Sequence, residues 1–159
     1  MLKLDRTDLK ILQELQVNGR ITNTELAERV SLSPSPCLQR VKKLDKYGYI
    51  KSYSAEIALE KLGDYVTVFA EVTLKSHHPQ DTLRFQNEVA KLSQVIECHL
   101  ISAGYDYLIK FVTKNIADYQ ELMESLIDKD IGIKKYFSFV VMKSCVEKSH
   151  IPLQNLNTI

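Results

Sequence analysis

Long apolar runs are missing from this sequence. None approaches the ~18 residues that a membrane-spanning helix needs, although 45% of the 159 residues are apolar, enough for a packed core. The opening stretch MLKLDRTDLK is charged and carries no apolar signal segment. Cysteine is scarce: Cys37, Cys98 and Cys145 are odd in number, far apart and without a CxxC pair. A disulfide framework or a zinc finger is therefore not expected, and a reducing cytoplasm is the simplest setting. Catalytic signatures are missing too. His77 and His78 precede Pro79 in an expected loop, His99 and His150 stand alone, and neither HExxH nor GxSxG spacing occurs. No catalytic residue, metal site or cofactor is expected, and the chain is not read as an enzyme.

The length suits one medium domain or two small ones. Net charge is only +1, but it is unevenly divided. Residues 1–53 carry ten Lys and Arg against six Asp and Glu, and residues 54–159 carry eleven against fourteen. A basic front on an acidic remainder suits a front segment that meets an anion, although so small an imbalance also arises by chance.

The front segment has room for three helices. The first runs from Asp5, an N-cap, to about Val17, with Leu4 and Leu9 spaced as a hydrophobic staple. Leu9, Leu12 and Leu15 form its apolar face, and Gly19 is the expected C′ residue. The second opens on the capping box TNTE, with Glu25 three residues after Thr22, and turns Leu26, Ala27 and Val30 inward. The third follows the turn SLS and begins on two Ser-Pro pairs. Either Ser33 caps with Pro34 first in the helix, or Ser35 caps with Pro36 first. The bias of pre-proline residues against the α region slightly favours the later start. In both frames the prolines occupy positions whose N–H groups have no intrahelical partner. At 100° per residue, Leu38, Val41 and Leu44 share one side of this helix, with Cys37 beside them. Ser35, Gln39, Lys43 and Lys46 share the other, flanked by Arg40 and Lys42, and Gly48 ends it.

A capped helix, a tight turn and a stiff-ended helix with a polar, basic outer face make the layout of a helix-turn-helix. Its second helix enters the DNA major groove. Gln and Arg can pair with base edges, whereas Lys mostly meets phosphates. The same pattern also fits a three-helix bundle whose outer face is merely solvated. LDRTDLKILQELQVNGRITNTELAERVSLSPSPCLQRVKKLDKYGYIKSYSAEI resembles the N-terminal half of the Lrp/AsnC (leucine-responsive, feast/famine) transcription regulators. The family's skeleton of LD..D..IL..L..(D/N)(G/A)R and LSP.P...R...L...G.I..Y is matched almost throughout. Ser31 departs from it, standing where the family often has Gly at the helix-turn corner; a left-handed corner would strain it slightly. The resemblance implies double-stranded DNA as a partner, met by Ser33, Ser35, Gln39, Arg40, Lys42, Lys43 and Lys46.

IKSYSAEIALEKLGDY reads as an extended linker, and the rest repeats one plan twice. VTVFAEVTLK, DTLRFQNEVAKL and VIECHLISA are strand, helix, strand; YDYLIKFVTK, IADYQELMESLI and IKKYFSFVVMK repeat the order about 40 residues on. Val66, Val68, Ala70, Val72 and Leu74 alternate as on a strand, and Ile116, Tyr119, Met123 and Leu126 follow helical spacing. The expected fold is α+β: an N-terminal three-helix winged or helix-turn-helix domain plus a C-terminal βαββαβ ferredoxin-like (RAM) domain. The expected boundaries are 1–50 for the DNA-binding domain, 51–64 for the linker, 65–146 for the ferredoxin-like domain and 147–159 for a polar tail without an assigned role. Phe69, Phe137, Phe139 and Val141 oppose other bulky residues on their strands. A sheet apolar on both faces, with helices for only one, needs a second subunit.

The resemblance extends through this second part and implies face-to-face homodimers that assemble further, an octamer being the expected size, with no membrane partner. It also identifies ISAGYDYLIK as the effector turn, with Ala103, Gly104, Tyr105, Asp106 and Tyr107 in place and Ile133 and Ser138 as a possible facing wall. Exposed N–H groups in such a turn suit a carboxylate and Asp106 suits an ammonium; without the resemblance it is a plain hairpin turn. The family's usual Gly falls on Ala103, with Gly104 following. The expected function is a sequence-specific regulator, bacterial or archaeal and nucleoid-associated, that responds to an apolar amino acid such as leucine or methionine. The rival reading is an amino-acid sensor without sequence-specific DNA binding.

Overall fold

The computed structural model describes residues Lys3–Leu153. They form two compact units: the described residues up to Glu56 together with those from Cys145 onward, and Ile57–Ser144.

The front unit is built on α1 (Arg6–Val17), α2 (Asn23–Arg29) and α3 (Pro34–Lys46). Each helix starts where its sequence offers an acceptor or needs no donor. Asp5 caps α1 in a reciprocal box: its side chain takes the Asp8 N–H at 2.8 Å, and the Asp8 side chain takes the Asp5 N–H at 3.1 Å. Thr22 and Glu25 form the expected box on α2. Helix α3 uses the earlier of the two possible starts, with Ser33 as N-cap and Pro34 first. The first amide that needs a helical acceptor is that of Cys37, which donates to the Ser33 carbonyl at 3.2 Å. Pro36 thus lies in the donor-free first turn and has no helical carbonyl four residues back to clash with, which removes the advantage of the later start. Helix α1 ends on Asn18 in an extended conformation, and Gly19 follows it without entering the left-handed region.

Both ends of the turn region are closed by left-handed residues. Gly48 (φ 73°) closes α3, with the Tyr49 N–H reaching the Leu44 carbonyl at 3.0 Å and the Gly48 N–H reaching Asp45 at 2.9 Å. Ser31 (φ 57°) closes α2 in the same way: Leu32 donates to Ala27 at 2.8 Å and Ser31 to Glu28 at 3.1 Å. The core between the helices is Ile11, Leu26, Ala27, Val30, Cys37 and Leu44, with Val41 and Ile50 packed against it. Leu38, expected on the buried side, is 41% exposed. The line facing the core runs 37, 41, 44, and Leu38 falls on its shoulder. The segment 51–58 has no regular secondary structure. The described part of the expected 147–159 tail belongs to this unit rather than standing apart. The Gln16 side-chain amide holds the Ile151 backbone on both sides, accepting its N–H at 2.8 Å and donating to its carbonyl at 3.3 Å. The remainder of that tail, 154–159, lies outside the described residues.

The second unit opens with a short 3-10 turn, Leu59–Lys61, inside the expected linker. It continues as β1 (Val66–Leu74), α4 (Pro79–Ala90), β2 (Val95–Leu100), β3 (Tyr107–Thr113), α5 (Ile116–Asp128) and β4 (Ile133–Val140). The four strands form one antiparallel sheet in the order β2-β3-β1-β4. Val68, Ala70, Val72 and Leu74 of β1 are buried alternately, as are Tyr107, Ile109 and Phe111 of β3. Helices α4 and α5 cover that face with Phe85, Val89, Tyr119, Met123 and Leu126. Each such aliphatic or aromatic side chain contributes ~1.5–3 kcal/mol by leaving water. Ile116, the first residue of α5, remains 39% exposed.

The opposite face has no helix. The register places Phe69 beside Phe139 and Lys110, and Glu71 beside Phe137 and Leu108. Phe137 and Phe139 are 56% and 51% exposed. Toward the β2 edge this face turns polar: Glu97 forms an ion pair with Lys110 at 3.6 Å and lies 3.1 Å from His99. Among the described residues, no helix is long and apolar enough to cross a membrane.

The strain at Ser31 is testable. An L-residue in the left-handed region costs roughly 1–2 kcal/mol, part of which glycine returns as extra unfolded-state entropy. Ser31→Gly is expected to stabilise the front unit by up to about 1 kcal/mol. Thermal denaturation followed at the helical signal checks this, and a lowered melting temperature would contradict it.

Candidate functional site

The corner at Ser31 sets α3 at its angle to α2, and the side chain of Asn23 reinforces it by donating to the Pro34 carbonyl at 2.8 Å. With Cys37 and Leu44 fixed in the core, the outer side of α3 presents Ser33, Ser35, Gln39, Lys42, Lys43 and Lys46, all exposed. The Ser33 side chain makes no capping hydrogen bond, so its hydroxyl remains for another partner. Among the described residues, Lys42, Lys43 and Lys46 form no ion pair. The arrangement is a single row of hydroxyl, amide and ammonium groups on a rigid helix. Burial pushes the Cys37 thiol up, so at neutral pH it serves as an apolar core group.

Arg40 is placed differently from its neighbours. Its Nη1 donates to Asp5 Oδ2 and to Asp8 Oδ1, both at 2.7 Å. These are the oxygens that the α1 capping box leaves over. The Arg40 guanidinium is held more firmly protonated by Asp5 first and Asp8 second. The Asp5 carboxyl is held below its ordinary value, chiefly by the Asp8 N–H; burial opposes this and Arg40 adds to it. The stability that Asp5 contributes is thus present above the ordinary aspartate range and is lost as the pH falls through the lowered value.

In the second unit the turn between β2 and β3 is anchored by Asp106. Its N–H donates to the Val72 carbonyl at 2.9 Å and its carbonyl accepts from Ile101 at 2.9 Å. Its side chain accepts the Leu74 N–H at 2.7 Å on one oxygen and lies 2.8 Å from His77 Nε2 on the other. Burial pushes this carboxyl up, but the Leu74 N–H and His77 outweigh it and the net is below the ordinary value. The Tyr105 hydroxyl is pushed up first by burial and then by the charge of the Glu71 carboxylate. Among the described residues, the N–H groups of Ala103, Gly104 and Tyr105 donate to no backbone carbonyl. The turn therefore offers unused donors beside an ionised, anchored carboxylate.

Tyr107 lies inside the core rather than at the surface. Its ring packs 4.7 Å from Phe85, and its hydroxyl accepts from Gln86 at 2.9 Å. Leu100 and Tyr107, which flank the turn, also line a groove of about 250 Å³ with Val89, Val95 and Cys98, and Gln86 supplies its polar group. Ile133 pairs with Leu74, whose amide holds Asp106, so it lies at the same end of the sheet. Ser138 pairs with Ala70, four residues further along β1 or ~13 Å at strand rise. It is engaged there with the Tyr119 hydroxyl at 2.6 Å, away from the turn. Two participants escaped the sequence reading. His77 was placed only in a loop, and Asp8 was not paired with Arg40. Contacts 29 and 32 residues apart leave no local periodicity to find them by.

Comparison with known proteins agrees with both halves of this geometry. Residues 4–51 match the model of a winged helix-turn-helix DNA-binding domain, and residues 67–151 match that of the Lrp/AsnC ligand binding domain. The chain is 41% identical over 143 residues to the transcriptional regulatory protein DoeX of Halomonas elongata, covering 90% of each chain. It is 37% identical to the leucine-responsive regulatory protein of Escherichia coli, covering 95% of this chain and 92% of that one. Among solved structures, a Neisseria meningitidis transcriptional regulator in complex with L-Met is 33% identical, with a TM-score of 0.89 over 96% of this chain and 99% of the other. An AsnC family regulator from Agrobacterium tumefaciens is 31% identical, with a TM-score of 0.90 over the same shares. With a helix-turn-helix unit and a ferredoxin-like ligand-binding unit matched in order over nearly its whole length, the chain belongs to the Lrp/AsnC family of transcription regulators.

Proposed function

We propose that this protein is a sequence-specific DNA-binding regulator that responds to a small apolar amino acid, with leucine or methionine the leading ligands. The observation that carries the reading is the row on α3: Ser33, Ser35, Gln39, Lys42, Lys43 and Lys46 are exposed while the other side of the same helix is locked in a core. A merely solvated face has no need of a proline-stiffened start and a strained corner. Gln39 is assigned to a base edge, the lysines to phosphates, and the two serine hydroxyls to the backbone at the helix start.

The effector is assigned to the turn. Asp106 takes the ammonium, sharing one oxygen with His77 or displacing it, and the unused amides around Gly104 take the carboxylate. Apolar lining by Leu100, Val89 and Val95 favours a hydrocarbon side chain. The L-Met held by the Neisseria meningitidis relative supports the same ligand class. The exposed Phe137 and Phe139 are assigned to a homodimer interface, with higher assembly up to an octamer through other surfaces. Such a regulator works in the cytoplasm, where the chromosome is.

Four outcomes test the reading. Gln39→Ala is expected to relax base preference at a cost of ~1–3 kcal/mol, whereas Lys43→Ala weakens all duplexes alike and lowers the salt slope by about one. Footprints and affinities unchanged in both folded variants would refute the assignment. Sedimentation is expected to show a dimer at micromolar concentration, presenting two α3 helices to half-sites ~10 bp or a multiple apart; a stable monomer would rule this out. A thermal-shift screen of the twenty amino acids is expected to single out an apolar one, since a ligand at ~100 times its Kd adds ~2.7 kcal/mol. Asp106→Ala is then expected to weaken that ligand roughly ten- to a hundred-fold in calorimetry, through the lost charge-assisted hydrogen bond, while effector-free DNA binding persists. Equal affinity in wild type and variant would move the pocket elsewhere.

A further inference from the structure

We infer that Arg40, although it sits among the DNA-facing residues of α3, is a positioning residue that locks the recognition helix to the capped end of α1. This rests on the DNA-binding reading above and assigns Arg40 a role that its neighbours do not share. The α1 capping box is reciprocal and uses one oxygen of each aspartate: Asp5 Oδ1 for the Asp8 N–H and Asp8 Oδ2 for the Asp5 N–H. The other two oxygens, Asp5 Oδ2 and Asp8 Oδ1, converge on one nitrogen of Arg40 at 2.7 Å each. The cap of one helix and the orientation of another are therefore one hydrogen-bonded cluster. Moving α3 relative to α1 breaks two charge-assisted bonds at once and leaves Asp8, whose side chain is only 11% exposed, as an uncompensated carboxylate.

Three features separate this from a base contact. Base reading by arginine uses its fork on the O6 and N7 of guanine, and here one of the two terminal nitrogens of that fork is already committed to Asp5 and Asp8. Arg40 is half-buried, whereas Ser33, Ser35, Gln39, Lys42, Lys43 and Lys46 are exposed. The charge balance is also wrong for a phosphate contact. One guanidinium between two carboxylates has a net charge of −1, so bringing phosphate there adds repulsion rather than attraction. The positive potential of the helix is left to Lys42, Lys43 and Lys46, which have no carboxylate partner among the described residues.

The test is selection of a binding motif from random 40-bp duplexes by the full-length chain, followed by affinities for the selected duplex and a scrambled one. Wild type, Arg40→Ala, Arg40→Lys, Asp8→Asn and the double variant Asp8→Asn/Arg40→Ala are compared. A positioning role predicts that Arg40→Ala selects the same motif with every base column weakened and affinity down roughly ten-fold. Asp8→Asn, which has no reason to touch DNA, should reproduce that profile, and the double variant should be no worse than the singles. Arg40→Lys should recover most of the affinity, because one nitrogen suffices for both aspartates. If Arg40→Ala fails to fold, Asp8→Asn and Arg40→Lys decide alone. Loss of one base column in Arg40→Ala or Arg40→Lys with the others intact, or a wild-type profile in Asp8→Asn, would overturn the inference. A wild type that selects no motif would overturn the DNA-binding reading and this one together.

Discussion

The second unit depends on the central position of β1. With β3 on one side and β4 on the other, it is paired along most of its length, and its even-numbered side chains have only the two helices to meet. Its far end then supplies the partners of the turn between β2 and β3. The Val72 carbonyl and the Leu74 amide both bind Asp106, so the strand that organises the core also fixes the carboxylate assigned to the ligand. The same alternation directs Phe69 to the face without helices, beside Phe139. Core, candidate pocket and uncovered apolar face thus follow from one strand's period of two.

The front unit solves a different problem. A helix that reads DNA must be rigid yet leave one side without protein partners. Three devices share that task here, each at a different place along α3. The proline-rich first turn stiffens its start, the line Cys37, Val41 and Leu44 anchors its inner side, and Arg40 ties its flank to α1. The strained residue Ser31 belongs to the same design, because the corner between α2 and α3 closes only with a left-handed residue. The cost of serine there is small beside the loss of the hydrogen bonds from Leu32 and Ser31 that the corner makes possible.

Much of this was legible in the chain. Capping boxes on α1 and α2 announce themselves by a spacing of three, and the two strand-helix-strand repeats by their periodicity, because these are contacts between near neighbours. The exposed polar side of α3 was legible for the same reason, since Ser35, Gln39, Lys42, Lys43 and Lys46 sort by angle alone. The start of α3 was not decided by local preference, because two Ser-Pro pairs satisfy the same rule. The geometry of the first hydrogen bond, from Cys37 to Ser33, selects between them. Leu38 shows the limit of helical sorting. A residue on the shoulder of an apolar line is buried or exposed according to what packs nearby, and here the neighbouring helices leave it 41% exposed.

By itself, then, the sequence determined the order and type of the elements and the polar side of α3, because each is set by residues within a turn or two of one another. Only the tertiary structure decided that Arg40 serves two aspartates of another helix, that His77 shares the carboxylate of Asp106, and that Ser138 is held by Tyr119 away from the turn. Side-chain charge and hydrogen-bonding capacity are properties of a residue, but the partner that uses them is a property of the packing. An arginine on a basic helix and an arginine in an aspartate clamp have the same sequence signature, and only the distance between their atoms tells them apart.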